Sequence, residues 1–471
     1  MPLVRTSAIE FEKFDYRKIY DSLVKETSLS PEQAMRIAKE TFRRLKSMNL
    51  KFLSGPLIRE VVCSVLLEHG LEKARAEYTR LGLPVYDVRS LLVSSRDSRT
   101  VCETASSSVL EQYVLLNVLP PEVADAHIAG RIHIHALKDL VVKPLCHQHD
   151  FRSFLKEGLK LGDACSPPLP PPEDLKDVIS VLTWLLLHAK NTWSFFQGFN
   201  HFNVLLAPFV ADKEYSTVLS FARQFFKQAH MLFQAEGVRF SVTLDPFVPE
   251  ELAGIPAVLP GGVESESKTY GDFVKEARTL FKAFLDAYRE GIKETSPYCN
   301  PLIQIRLEEA FLDEQEDLCL RCFSLASQTG NPVFVNRDSL PAGLRAEHDL
   351  LHAVSLNLPR LALEARGDFE AFLERVEEHL ELCKKVLEIK KEAISRSLRR
   401  GTLPFFEESE GTLHIIPIGL HEAIRVCSRE GVFESEEAKR MAERTLEKMS
   451  SLPNGITLSG NFDENASYRL A

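Results

Sequence analysis

Phe240-Ser-Val-Thr-Leu244, Leu302-Ile-Gln-Ile-Arg306 and Val333-Phe-Val335 are short β-like stretches, and the chain around them is patterned for helix. Apolar residues recur at helical spacing over 176–197, 213–236, 269–291, 304–329, 369–400 and 434–450. Strands alternating with helices of that length predict an α/β barrel or layered sheet. Cys165-Ser-Pro-Pro-Leu-Pro-Pro-Pro172 interrupts the alternation with a stiff extended loop, because proline forbids helix and removes backbone donors. No internal repeat recurs at a fixed period.

Working outward, 471 residues at 44% hydrophobic and 26% charged describe an ordinary globular chain of two or three domains. The longest apolar stretch, Val178 to Ala189, is too short to span a bilayer and reads as a buried helix. Met1 to Glu12 has no apolar core of a secretory signal, so a cytoplasmic location and no membrane partner are expected. A net charge of −10 without a long basic run argues against nucleic acid as a partner, while leaving room for a small anionic ligand. Nine scattered cysteines read as core thiols rather than disulfides. Cys319 and Cys322, one turn apart on a helix, read as a core-facing pair, with no second pair to complete a zinc site.

Residues 1–93 form the first expected domain. A short opening strand precedes helices over 15–24, 31–46, 54–68 and 71–80, the second capped by Ser30, and the unit ends at Gly82-Leu83-Pro84. The Ser- and Thr-rich residues 94–108 are expected to be a linker, and the second domain to cover 109–471. Val4-Arg5-Thr6-Ser7, Phe14-Asp15, Lys18-Ile19, Ser54 to Glu60, Leu66 to Gly70 and Tyr78 to Asp87 occur in the order of the ATP-cone domain that begins many ribonucleotide reductases, which this region resembles. The resemblance implies ATP or dATP as an effector, held by Val4, Arg5, Thr6, Ser7, Lys18 and Arg59. A strand edge would supply backbone and hydroxyl contacts, and Arg5 and Lys18 charge for a triphosphate. Where the cone usually has a Lys-Arg-Asp-Gly turn, this chain has no glycine.

The second region resembles the barrel of anaerobic (class III) ribonucleotide reductases, glycyl-radical enzymes with a ten-stranded α/β barrel. The resemblance rests on Pro121 to His135, Lys143-Pro144-Leu145-Cys146, Phe151 to Leu159, Phe202-Asn203 to Pro208, Thr269 to Phe273, Gly330 to Asn336, Asn357-Leu-Pro-Arg360, Ile418 to Ala423 and Asn465 to Arg469. Against that family, Arg337 to Ser355 lacks the cysteine that would become a thiyl radical, and the chain stops at Ala471 before the expected four-cysteine zinc site and glycyl-radical loop. Cys146 stands where the family keeps its first active-site cysteine, as a vestigial catalytic candidate. His133-Ile134-His135 is followed by Ala136 instead of an acid, so no metal is expected there. Phe196-Gln197-Gly198-Phe199 replaces a glycine-rich segment and is expected to fill substrate space with phenyl rings. His133, His135, Asn203 and Asn357 are then a vestigial barrel pocket. The resemblance implies a nucleotide-binding, non-catalytic regulator without zinc or a glycyl radical, partnered by itself or by a full-length anaerobic reductase. Its alternative is a reductase component whose radical domain another chain supplies.

Overall fold

The structure is a computed structural model that describes residues 3–5, 11–48, 52–159, 168–294, 300–336, 349–401, 411–453, 455–460 and 464–470. It divides into two units, Met1–Ile128 and Ala129–Ala471.

In the first unit three short strands, β1 (Leu3–Arg5), β2 (Phe11–Lys13) and β3 (Phe52–Ser54), form a sheet in the order β2-β1-β3. The amphipathic helices Tyr16–Glu26, Pro31–Ser47 and Gly55–Glu68 bury Leu23, Ile37, Ala38, Val62 and Leu66 against one another. Ser30 caps its helix as the sequence predicts. Its hydroxyl accepts from the Gln33 amide at 3.3 Å while the Gln33 side chain accepts from the Ser30 amide at 3.1 Å. The expected linker is instead helical: Val85–Ser94 and Ser98–Tyr113 are both helices, the second capped by Asp97, and the boundary between units falls at residue 128. The Ser98–Tyr113 helix buries none of its residues. Its polar side chains suit a helix because the hydroxyls of Ser106, Ser107 and Ser108 bond to carbonyls three or four residues back, satisfying groups that would otherwise compete with the backbone.

The second unit carries β4 (Ile132–Ile134), β5 (Cys146–His149), β6 (Phe196–Phe199), β7 (Phe240–Leu244), β8 (Pro256–Leu259), β9 (Val263–Thr269), β10 (Leu302–Leu307), β11 (Val333–Asn336), β12 (Leu350–Asn357), β13 (Thr412–Ile418) and β14 (Ile456–Leu458). Strands β5, β6, β7, β10 and β11 run parallel, and so do β12, β13 and β14; the two sets meet antiparallel at β5 and β12, with β4 antiparallel to β12. Among the described residues the sheet therefore has nine strands, and no pairing joins its ends β11 and β14, whereas a ten-stranded barrel was expected.

Side chains alternate across each strand. Phe199, Val242, Leu244, Ile303 and Ile305 face the helices Leu175–Ala189, Tyr215–Glu236 and Val274–Glu294, and build the main core with Leu182, Leu185, Phe225, Phe226 and Phe284. The register places Cys146, Gln148, Phe196, Gly198, Ser241, Thr243, Gln304 and Arg306 on the opposite face. No helix among the described residues is long and apolar enough to cross a membrane.

Candidate functional site

Of the residues expected to hold nucleotide, Thr6 and Ser7 lie outside the described residues. Val4 and Arg5 lie on β1, the middle strand of the small sheet. Lys18 is exposed in the first turn of the Tyr16–Glu26 helix. Arg59 is committed within the unit: it donates to the Tyr78 carbonyl at 2.7 Å, pairs with Glu26 at 2.8 Å and lies 4.0 Å over the Tyr78 ring. Those contacts tie three helices together.

In the second unit Cys146 opens β5, opposite Leu350 of β12, at the seam where the two parallel sets meet. Burial pushes its thiol up to about 12, and the Asp349 carboxylate adds to that effect. Of the cysteines the structure describes, Cys63, Cys102, Cys319, Cys322, Cys383 and Cys427 all sit on helices, leaving Cys146 as the one carried by a strand. Cys319 and Cys322 are buried in the main core, as the sequence predicts. His133 and His135 bring their rings edge to face at 4.8 Å, and His135 Nε2 lies 2.7 Å from Ser355 Oγ on β12. Arg469 donates toward His133 Nδ1 at 3.3 Å.

The two asparagines assigned to the same pocket are spent on backbone. Asn357 accepts from the Arg360 amide, capping the Leu358–Glu364 helix, and donates to the carbonyls of Gly130 and Leu470. Asn203 accepts from the Asp245 amide at 2.8 Å and donates to the carbonyls of Asp245 and Ala277. The phenyl rings of 196–199 divide between the faces: Phe199 joins the helix-side core and only Phe196 shares a face with Cys146. Strand alternation forces that division, so one ring, not two, enters the expected substrate space. Gly198 lies beneath the Gln148 amide, which a Cβ there would strike.

A further constellation, absent from the sequence expectations, lies at the carboxyl ends of β6, β7 and β10. His201 Nδ1 is 3.0 Å from Asp245 Oδ2, and Arg306 Nε is 3.4 Å from Asp245 Oδ1. Asp245 and Arg306 are 3% and 4% exposed, while His201 stays accessible. His201 has φ +53°, a left-handed backbone that turns its ring back over the strand ends. Beside it, the Thr243 hydroxyl is 3.2 Å from Asn200 Oδ1 and 3.1 Å from Gln304 Oε1. Carboxyl ends of parallel strands are where open α/β sheets take ligands. Asp245 follows a hydrophobic strand directly, the signal in the sequence that could have marked it.

A sheet of two opposed parallel sets, with helices on one face and a strand cysteine at their seam, defines the class of α/β barrel-like reductase folds. Residues 93–458 match the family described as anaerobic ribonucleoside-triphosphate reductase, and the chain belongs to that family. It is 23% identical to the anaerobic ribonucleoside-triphosphate reductase of Salmonella typhimurium over 469 residues, covering 85% of this chain and 64% of that protein. The Escherichia coli enzyme gives 23% identity over 468 residues with the same coverage, so the chain spans less than two thirds of these relatives' length. Among solved structures, the anaerobic ribonucleotide reductase of Thermotoga maritima with dATP bound in the specificity site matches with a TM-score of 0.68 at 18% identity, covering 82% of this chain and 74% of that one. The same enzyme with citrate in the active site gives 0.67 at 18% identity, covering 82% and 79%. At that identity the likeness is one of fold.

Proposed function

We propose that this chain is a nucleotide-responsive, non-catalytic member of its family, binding ATP or dATP through the first unit and acting on itself or on a full-length anaerobic reductase. The observation that carries the reading is the solitary character of Cys146. Among the described residues no other strand bears a cysteine, and Arg337 to Ser355, where the resemblance calls for a radical-bearing thiol, has none. A thiol held near 12 stays protonated at neutral pH. Support for nucleotide binding comes from Lys18, exposed in the first turn of its helix, and from the Thermotoga maritima relative solved with dATP bound in the specificity site.

Calorimetry on the whole chain tests the reading. ATP or dATP should bind, Lys18→Ala should weaken binding by about 1.5–3 kcal/mol, the worth of one hydrogen bond to a charged group, and light scattering should show a nucleotide-dependent change in oligomeric state. Absence of heat with both nucleotides would refute it.

A further inference from the structure

Away from the sheet, on the helical side of the second unit, we infer that a cleft of about 510 Å³ binds a small zwitterion of the amino-acid or ω-amino-acid class. One wall is the Val274–Glu294 helix and the other is formed by the helices Glu309–Glu314 and Glu316–Thr329. Arg278, Lys282 and Asp286 follow one another at four-residue spacing on the first wall, and Asp313, Asp317 and Arg321 do so on the second. Residues four apart on a helix share a face.

The last pair of these two series is closed. Arg321 donates to Asp286, which also accepts from the Tyr215 hydroxyl at 2.6 Å and from Arg289 at 3.3 Å. The earlier positions are open: Arg278 and Lys282 on one wall, and Asp313 and Asp317 on the other, have no ion-pair partner among the described residues although they line the same cleft. Gln315 accounts for part of the gap. Its φ of −134° and ψ of 40° break the helix, so Asp313 does not continue the line of the Glu316–Thr329 helix.

Each wall thus keeps unspent charge of one sign. A ligand with a single charge is attracted to one wall and repelled by the other, whereas a ligand carrying both a carboxylate and an ammonium gains from both. Gln315 independently sets the same polarity. It lines the cleft at 8% exposure, and its Oε1 has no hydrogen-bond partner, which leaves an enclosed acceptor on the acidic wall in need of an N–H donor. The ammonium therefore lies toward Gln315, Asp313 and Asp317, and the carboxylate toward Arg278 and Lys282. The volume lies within the roughly 300–1,000 Å³ of small-molecule sites.

Saturation-transfer NMR on the whole chain tests this with L-alanine, 4-aminobutanoate and 6-aminohexanoate, which separate α- from ω-amino acids, and with butanoate, butylammonium and inorganic phosphate as single-sign controls. At least one zwitterion should show transfer that weakens as salt is raised, and the controls should show none. Lys282→Gln and Asp317→Asn should each weaken its binding about fivefold in chains whose melting is unchanged, and Lys282→Arg, which keeps the charge, should retain it. No transfer from any zwitterion, equal transfer from the single-sign controls, or binding unaltered by both neutralising substitutions would overturn the proposal. Because the zwitterions carry no base or triphosphate and the variants lie in the second unit, this outcome is read separately from nucleotide binding.

Discussion

The two units differ in whether they bury charge. In the first, Arg44 spans Glu68 and Glu40 at 2.6 Å and His69 meets Glu40 at 2.9 Å, all on the surface. The second has surface pairs too, such as Arg223 with Glu290, but also takes ionisable groups inside. Lys390 is fully buried on the Phe369–Arg399 helix and donates to the carbonyls of Asp139 and Lys143, while Asp245 and Arg306 face each other beneath the strand ends. Exposed pairs are screened by water and contribute little. A buried charge is costly once its partner is lost. Surface pairs stay hydrated, whereas buried charge is held in place by its partners.

The comparison breaks most sharply on a single truncation in each unit. Asp245→Ala, leaving Arg306 enclosed without its carboxylate, should cost about 3–5 kcal/mol in urea unfolding. Arg44→Ala, at the surface, should leave unfolding within experimental error of the parent chain. Equal effects would mean that the two units do not differ as described.

Acid sharpens the contrast. Burial holds His149 at about 3, with His147 adding to it, holds His414 at about 4, and drives His352 well below its ordinary 6.5. The unfolded chain takes up these protons from pH 6.5 downward while the folded second unit does not, so its stability falls as pH drops below 6.5. In the first unit the carboxyls of Glu40 and Glu68 are lowered by hydrogen bonds from His69 and Arg44 and from Arg44 respectively, so their contribution is lost only as pH falls below about 4.5. Hydrogen exchange followed by mass spectrometry should show second-unit amides losing protection first between pH 6.5 and 4.5.

Lys390 works at the other end. Burial lowers its amine from 10.5 to about 7, against the raising effect of Asp139. Between those values the unfolded chain holds a proton the folded chain lacks, so stability rises with pH from about 7 to 10.5. Lys390→Met should flatten that slope in thermal melts. A smaller effect belongs to Ser30→Ala, which removes one side of the capping box and should cost about 0.5–2 kcal/mol.

Periodicity made the alternation of β7, β10 and β11 with their helices legible, as it did the Ser30 cap and the buried cysteine pair. Residues 94–108 were misread because serine composition suggests a connector, yet Asp97 starts a helix there and the hydroxyls bond to its own carbonyls. The candidate site was harder. Cys146, His133 and His135 stood out as reactive types in motifs, and the structure sets them beside the seam of β5, β12 and β4. His201, Asp245 and Arg306 are separated by 44 and 61 residues along the chain, and only the parallel register of β6, β7 and β10 brings them together. Asn203 and Asn357 looked equally chemical, but a helix cap and a buried turn consume them.

The proposed non-catalytic role turns on the absence, from Arg337 to Ser355, of the thiol that the resemblance calls for. Its most direct test is deoxyribonucleotide formation by the whole chain, supplied with ribonucleoside triphosphates, formate, ATP and an activating radical enzyme, alone and with a separate glycyl-radical domain fragment. No deoxyribonucleotide above background is expected in either mixture. Turnover in the mixture with the fragment would contradict the account and establish a reductase component whose radical is supplied in trans.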